Sequence, residues 1–233
     1  MQLTHIHTIT ARLVLETGLH IGAGDSEMHI GGIDNPVLKH PITNRPYVPG
    51  SSLKGKMRSL LEWKSGAVKP EPLGWQDYER ITDPIQKQAV FDILRLFGIS
   101  GGDKLTENQA RQLGPTRLAF WDCDLSSDWV ERVESANLMF TEVKSENSIN
   151  RITSVAVAPR FFERVPAGAS FDFRLSLKVL NGENLLPTVL TGLRLIELDS
   201  LGGSGSRGYG KVRFADLKLD GKPIELPKDP FAA

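Results

Sequence analysis

FDFRLSLKV, residues 171–179, sets Phe171, Phe173, Leu175, Leu177 and Val179 in alternation with Asp172, Arg174, Ser176 and Lys178. A period of two is the pattern of a strand with one face on a core and the other in water. Downstream, Leu185 to Leu198 predicts a helix, with Pro187 in its first turn, where a missing N–H is tolerated. A Gly-rich turn then leads into a last strand carrying Val212, Phe214 and Leu217 to Leu219. Upstream, Leu118 to Trp121 is a short apolar strand, and Pro84 to Phe97 predicts a helix that buries Val90, Ile93, Leu94 and Phe97. LKGKMRSLLEW, residues 53–63, predicts another helix, with Ser51 or Ser52 as its N-cap and Leu53, Met57, Leu60 and Leu61 on one face. Near the start, Ile9, Ala11, Leu13 and Leu15 alternate with Thr8, Thr10, Arg12 and Val14, again strand-like. Residues 18–50, 65–83 and 140–168 lack such periodicity and read as loops or insertions. The sum is an α+β fold with a ferredoxin-like or RRM-like core, helices covering one face of its sheet.

The chain has 233 residues, 40% hydrophobic and 24% charged, with a formal net charge of zero. That composition suits a globular protein and excludes binding to nucleic acid by a basic tail, while leaving room for a local basic groove. Cys123 is the only cysteine, so an intramolecular disulfide is excluded and a thiolate zinc site nearly so. MQLTHIHTIT lacks the profile of a signal peptide and no apolar run reaches transmembrane length, so a cytoplasmic protein without membrane contact is expected.

Three glycine motifs need testing against their chemistry. Gly50 to Lys56, GSSLKGK, matches the start of a P-loop, but Met57 stands where the Mg²⁺-binding hydroxyl belongs. Gly203, Gly205 and Gly208 match GxGxxG, yet here the helix comes before and the strand after, the reverse of a dinucleotide site. RGYGKVRF, residues 207–214, fits an RRM consensus except at Lys211, and supports a strand facing RNA without implying the usual base-stacking platform.

Four stretches occur in order: TGLHIGAG (17–24), GGIDNPVLKHPITNRPYVPGSSLKGKMRSLLE (31–62), KSENSINRITSVAVAPRFFERVPAGASFDF (144–173) and LGGSGSRGYGKVRF (201–214). Together they resemble the repeated backbone subunit of the type III-A CRISPR effector, the Csm complex, within the RAMP superfamily. The resemblance implies one RAMP domain over 1–233, with insertions at approximately 18–50, 65–115 and 140–168, the last forming a β-hairpin thumb. It also implies partners: guide RNA, single-stranded target RNA, further copies in a helical filament and other Csm subunits. Each thumb is then expected to displace a base pair of the guide–target duplex, with cutting beside it.

The same resemblance gives Asp34, in GGIDNP, the cleavage role. RNA supplies its own nucleophile, the 2′-OH, which a carboxylate can orient or deprotonate. Asp-Asn-Pro would equally suit a simple turn. Asp25 and Glu27 are the nearest carboxylates, so no preformed two-metal site is expected, only a loosely bound divalent cation, Mg²⁺ or Mn²⁺, shared with RNA. For His20 the resemblance implies a guide-RNA contact, against a buried structural histidine; a general acid for the leaving 5′-oxygen is the lesser reading, because cutting is expected near Asp34 and its thumb. His5, His7, His29 and His40 show no metal-ligand spacing.

Lys39, Arg45, Lys54, Lys56, Arg58 and Lys64 face only Glu62 between residues 36 and 66, a local basic excess. Ser51, Ser52, Lys54, Lys56 and Arg58 are therefore candidate phosphate binders at a helix N-terminus, against the plainer reading of a solvated face. In the Gly-rich loop, Gly202, Gly203, Gly205 and Gly208 permit close approach to a ribose-phosphate chain, with Ser206, Arg207 and Lys211 as donors. Arg151 is the candidate RNA contact on the thumb, while Asn150 stands where the family leads one to expect an aspartate. The sequence thus supports an RNA-cutting backbone subunit, with a purely structural RNA-binding subunit as the alternative.

Overall fold

The computed structural model of the chain describes residues 1–24, 35–99 and 104–232. Its first half runs β1 (Leu3–Leu15), β2 (Tyr47–Val48), α1 (Gly50–Ser65), α2 (Trp75–Arg80), α3 (Pro84–Phe97), α4 (Glu107–Leu113), β3 (Leu118–Phe120) and β4 (Cys123–Asp124). The second half continues with α5 (Ser127–Ser135), β5 (Glu142–Ile149), β6 (Ala156–Arg164), β7 (Ser170–Leu180), α6 (Leu186–Leu198), β8 (Val212–Leu219) and β9 (Lys222–Pro223).

The main sheet has the order β3-β7-β1-β8-β9, and every neighbouring pair in it is antiparallel. Without β9, the path β1-α1-β3-β7-α6-β8 is the βαββαβ course of a ferredoxin-like fold, as the periodicity predicted. β1 pairs along almost its whole length with β7 and over Ile9 to Leu15 with β8. Its inward residues Ile9, Leu13 and Leu15 are buried with Phe171, Phe173, Leu175 and Leu177 of β7 and Val212 and Phe214 of β8.

Leu53, Met57 and Leu61 of α1 and Val189, Leu193 and Ile196 of α6 cover that face. The two helices can cross closely because α6 carries Gly192 at the contact, where a Cβ would come within 2.4 Å of Met57 Cε. β5 and β6 form a separate two-stranded hairpin between β3 and β7. This is the stretch expected to form a thumb.

The stretch 65–83, read from sequence as a loop, contains α2. Leu73, Trp75, Val90, Leu94 and Leu113 close a second, smaller apolar cluster there. The helix α3 serves both, giving Val90 and Leu94 to this cluster and Ile93, Leu96 and Phe97 to the main core. Proline spacing and polar composition hid α2 because its six residues are too few to show a period.

The turn before α6 is tied to the insertion by Glu183. Arg117 Nε donates to its Oε1 at 2.8 Å and Arg95 Nη1 to its Oε2 at 2.8 Å. Burial pushes the Glu183 carboxyl up, but Arg117, the Leu180 N–H and Arg95 outweigh it and hold it below the ordinary carboxylate value. A carboxyl whose pKa is lower folded than unfolded adds stability above the unfolded pKa, and that stability is lost as pH falls through the folded one. Glu183→Gln should therefore cost about 3 kcal/mol at neutral pH, as expected for breaking a largely buried pair. The gap to wild type should narrow in acid, below the ordinary carboxylate pKa. Urea unfolding midpoints at pH 7 and in acid measure both; equal midpoints at pH 7 would show that the pair contributes nothing.

Candidate nucleic-acid interface

Beyond β1 the chain turns through Gly18, Leu19 and His20 and meets the root of the hairpin. Leu19 and Val165 exchange backbone hydrogen bonds of 2.9 and 2.8 Å. Ile21 and Ala23 then pair with the returning segment, Leu38 N–H donating to Ile21 at 2.8 Å and Ala23 N–H to Pro36 at 3.2 Å. In that segment the Asn35 carbonyl accepts from Glu163 N–H at 3.0 Å.

Glu163 turns its side chain inward and is 3% exposed. It accepts from Val37 N–H at 2.9 Å, Lys39 Nζ at 2.5 Å and Thr141 Oγ1 at 2.6 Å. Burial raises its pKa, but the lysine, the threonine and the amide together hold it below the ordinary value. One carboxylate thus fastens the returning segment to the thumb root.

The Gly-rich loop packs on the other side of this junction. Leu201 N–H donates to Gly210 at 2.8 Å, Gly210 N–H to Gly18 at 2.9 Å and Gly203 N–H to His20 at 2.9 Å. Gly202 and Gly210 have φ of 75° and 73°, and a Cβ would lie 2.3 Å from the His20 carbonyl in one case and 1.9 Å from that of Leu201 in the other. These two glycines close the loop, and no other residue would fit. Gly205 is also hemmed in, by Ser200 Oγ, whereas a Cβ on Gly203 would make ordinary contact and nothing lies within 4 Å of one on Gly208. Ser206 is exposed.

Thumb and loop interlock through Glu146. Arg207 Nη1 donates to its Oε2 at 2.7 Å and the buried Tyr209 hydroxyl to its Oε1 at 2.8 Å. Burial raises the Glu146 pKa, while Tyr209, Arg207 and Lys144 bring it below the ordinary value. The Arg207 guanidinium lies 5.3 Å over the Phe162 ring and stays half-exposed. Lys144 and Arg164 flank the Tyr209 ring at 4.4 and 5.0 Å.

His20 sits where segment, loop and thumb meet. Its Nδ1 is 2.7 Å from the Glu163 carbonyl, which can only accept, so Nδ1 carries the proton and Nε2 is the open nitrogen of the neutral ring. Its ring stands edge-on to Phe162. The structure thus gathers His20, Gly202, Gly203, Gly205, Ser206, Arg207 and Gly208 around the thumb root. Asp34 lies outside the described residues, as do Asp25, Glu27 and His29.

Several expected contacts are used elsewhere. The stretch GSSLKGK is the first two turns of α1, with Pro49 rather than Ser51 or Ser52 at the N-cap. Asp122 Oδ1 accepts from Gly50 N–H at 2.8 Å, so a carboxylate already occupies that helix end. A P-loop is excluded by the same helix.

Arg58 is turned inward, donating to Glu62 Oε1 at 2.8 Å and the Leu73 carbonyl at 2.7 Å, and anchors the insertion instead of a phosphate. Lys211 donates from Nζ to the carbonyls of Glu197 and Leu198, capping the end of α6, where the helix dipole favours a cation. Lys56 pairs with Asp199 at the same helix end, 2.7 Å away. Lys54 is partly exposed, and Arg151 is exposed at the thumb tip. Asn150 shapes that tip, its Oδ1 accepting from Ile152 and Thr153 N–H at 2.9 and 3.0 Å.

Within 207–214, Tyr209 and Phe214 are buried, so the strand offers no base-stacking platform. The sheet's open face forms a concavity of about 840 Å³, but Asp122, Asp124, Asp172 and Asp216 outnumber Arg12, Arg174 and Lys218 along it. A phosphate chain would not be attracted there.

Glu163, Glu146 and Tyr209 were missed, because an isolated polar or aromatic residue in a strand gives no sign of its partners. No described residue near Asn35 forms a cation cage, Glu163 being fully engaged. Among the described residues one cluster has metal-ligand spacing, and it brings together His5, His7 and Asp220. Sequence spacing alone had argued against these histidines as ligands.

Residues 12–213 match the model of the RAMP superfamily. The CRISPR system Cms endoribonuclease Csm3 of Streptococcus thermophilus is 44% identical over 216 residues, covering 90% of this chain and 87% of that protein. Its counterpart in Methanothermobacter thermautotrophicus is 39% identical over 237 residues, covering 94% of this chain and 87% of that protein. The crystal structure of a Csm3–Csm4 subcomplex of the type III-A CRISPR–Cas interference complex superposes with a TM-score of 0.55 at 27% identity, covering 94% of this chain and 80% of that one. Built on the same ferredoxin-like core and matched to these relatives over nearly its whole length, the chain belongs to the RAMP superfamily and, within it, to the Csm3 family of CRISPR endoribonucleases.

Proposed function

We propose that this chain is a backbone subunit of a type III-A CRISPR effector, that it binds guide RNA as one copy in a helical filament, and that it cuts complementary target RNA beside its thumb through Asp34. Its partners are then the guide RNA, the single-stranded target, neighbouring copies and the other Csm subunits. The observation that carries this reading is the fastening of Asn35, which follows Asp34 in the chain, to the thumb strand through Glu163 N–H. A residue adjoining a fixed strand can be kept in register with the nucleotide that the strand displaces.

The chemistry asks little of the protein. Asp34 takes the proton of the 2′-OH, the 2′-oxygen attacks the adjacent phosphorus, and the bond to the 5′-oxygen breaks, leaving a cyclic phosphate and a 5′-hydroxyl once that oxygen gains a proton. An unstacked nucleotide reaches the in-line geometry that a duplex resists. A Mg²⁺ or Mn²⁺ ion, when bound, neutralises charge at the phosphate; Asp34 and RNA oxygens would hold it, because Glu163 has no free oxygen. His20, Gly203, Gly208, Ser206 and Arg207 form the proposed path of the guide backbone, with Lys54 and Arg151 as outlying charges.

Target cleavage by the guide-loaded assembly tests the reading. Asp34→Ala should abolish cutting at every interval while guide binding and assembly persist. Equal cutting by both proteins would reduce Asp34 to a turn residue. If neither cuts despite tight binding, the structural-subunit alternative holds.

Glu163→Gln should slow cutting by about ten- to a hundredfold, the cost of misplacing a reacting group by about an ångström, with less effect on target affinity. An unchanged single-turnover rate would show that the Glu163 anchor does not position the cleavage loop.

A further inference from the structure

His5 and His7 lie two residues apart on β1, so both project from the same side of the strand. Asp220 comes from the opposite end of the sequence, in the two-residue turn between β8 and β9. That turn is fixed by φ values of 50° at Asp220 and 81° at Gly221. It is also tied to β1: Asp220 N–H donates to the Thr8 carbonyl at 2.8 Å, and Thr8 N–H donates to Asp220 Oδ1 at 2.8 Å. The second bond engages one carboxylate oxygen and aims the other. Oδ2 lies 2.6 Å from His7 Nδ1 and 3.4 Å from His5 Nε2. All three ligand atoms fall within 4.8 Å of one another.

We propose that His5 Nε2, His7 Nδ1 and Asp220 Oδ2 bind one zinc ion that staples the N-terminal strand to the C-terminal hairpin. The donor set decides the class of metal. Two imidazoles and a carboxylate suit a borderline ion such as Zn²⁺, whereas Mg²⁺ and Mn²⁺ prefer oxygen. The spacing agrees. Tetrahedral zinc with ligands at about 2.0–2.2 Å sets neighbouring donors about 3.4 Å apart.

His5 Nε2 and Asp220 Oδ2 are already at that separation. His7 Nδ1 must draw back by about 0.8 Å from its direct hydrogen bond to admit the ion, a movement within reach of small side-chain rotations. The bond from Thr8 plays the part of an outer-shell partner, holding the carboxylate oriented while its other oxygen binds. Three protein ligands leave a fourth position for water.

The place of the site separates it from the cutting chemistry. His7 and Leu15 are eight strand residues apart, about 26 Å along β1, and the thumb root lies beyond Leu15. The pairing of β1 with β8 stops at Ile9, and Leu3 and Ile6 beyond it are exposed. A metal bridging His5 and His7 to Asp220 would extend the hold of β8 past the last ladder pair. The rival account is a histidine–aspartate ion pair with no metal at all.

Zinc titration of the untagged full chain, by calorimetry and by competition with a chromogenic chelator, tells the two apart. One equivalent should bind to wild type, and zinc should raise its melting temperature. Co²⁺ in its place should give the visible d–d bands of a four-coordinate site. His5→Gln changes a side chain 54% exposed and should leave the metal-free fold unaltered, yet weaken zinc by about tenfold or more. Asp220→Asn should do the same. Failure of wild type to compete with the chelator overturns the proposal, as does binding by His5→Gln and Asp220→Asn equal to wild type. These readouts need no RNA, so they stand apart from the outcome of the cleavage experiment.

Discussion

Glu163 is a carboxylate buried in the wall between a long loop and a hairpin, and burying such a charge is unfavourable unless it is fully hydrogen-bonded. Here a lysine, a threonine and a backbone amide complete it, and its own N–H and carbonyl hold Asn35 and His20. The returning segment, the thumb and the first turn beyond β1 therefore share one anchor. None of these pieces has an extensive apolar core, and the thumb pairs mainly with itself. Their relative placement depends on this polar knot, supported by Leu19, Val37, Phe162 and Val165, which are buried around it.

The distribution of charge follows from that economy. A net charge of zero leaves few cations to spare, and the fold uses many of them internally. Arg58 secures the insertion, Lys211 and Lys56 hold the end of α6, and Arg95 and Arg117 share Glu183. Near the thumb root Arg207 stays half-exposed with Glu146 as its partner, and Arg151 and Arg160 are exposed further out on the hairpin. A phosphate could draw Arg207 away from Glu146 without leaving that carboxylate alone, because Tyr209 still donates to it. On the proposed reading the guide is held by a few cations and by close backbone approach at Gly203 and Gly208, more than by a uniformly basic surface.

The core was legible because its signals are local and periodic. Strand β7 was readable from alternation, and helices α3 and α6 from their apolar spacing. Cap identity was less secure: serines before LKGKM look like a cap, but the Pro49 backbone and distant Asp122 take that place. The candidate site was legible only in outline. Glycine density marked the loop at 202–210, though it could not show that Gly202 and Gly210 serve closure while Gly203 and Gly208 stay open. Glu146, Glu163 and Asp220 act through partners far away in sequence, and no spacing rule reaches that distance. The same lack of range made Arg58 and Lys211 look like free cations.

The hairpin itself shows how a protruding two-stranded element can hold its shape without a core. Ile149, Ile152, Val155, Val157 and Phe161 are all exposed, an apolar run that water alone would not favour. An isolated two-stranded hairpin is marginal, so its order has to come from its ends. Asn150 caps the tip through two backbone amides, and Glu146 and Glu163 clamp the root from opposite strands, one to the Gly-rich loop and the other to the segment after Asn35. Fixed at both ends, the hairpin can present apolar side chains in water without collapsing onto the body of the protein. On the proposed reading such a surface suits insertion between stacked bases, where apolar contact replaces lost stacking, and the Glu163 clamp ties the same hairpin to Asn35, the residue that follows Asp34 in the chain.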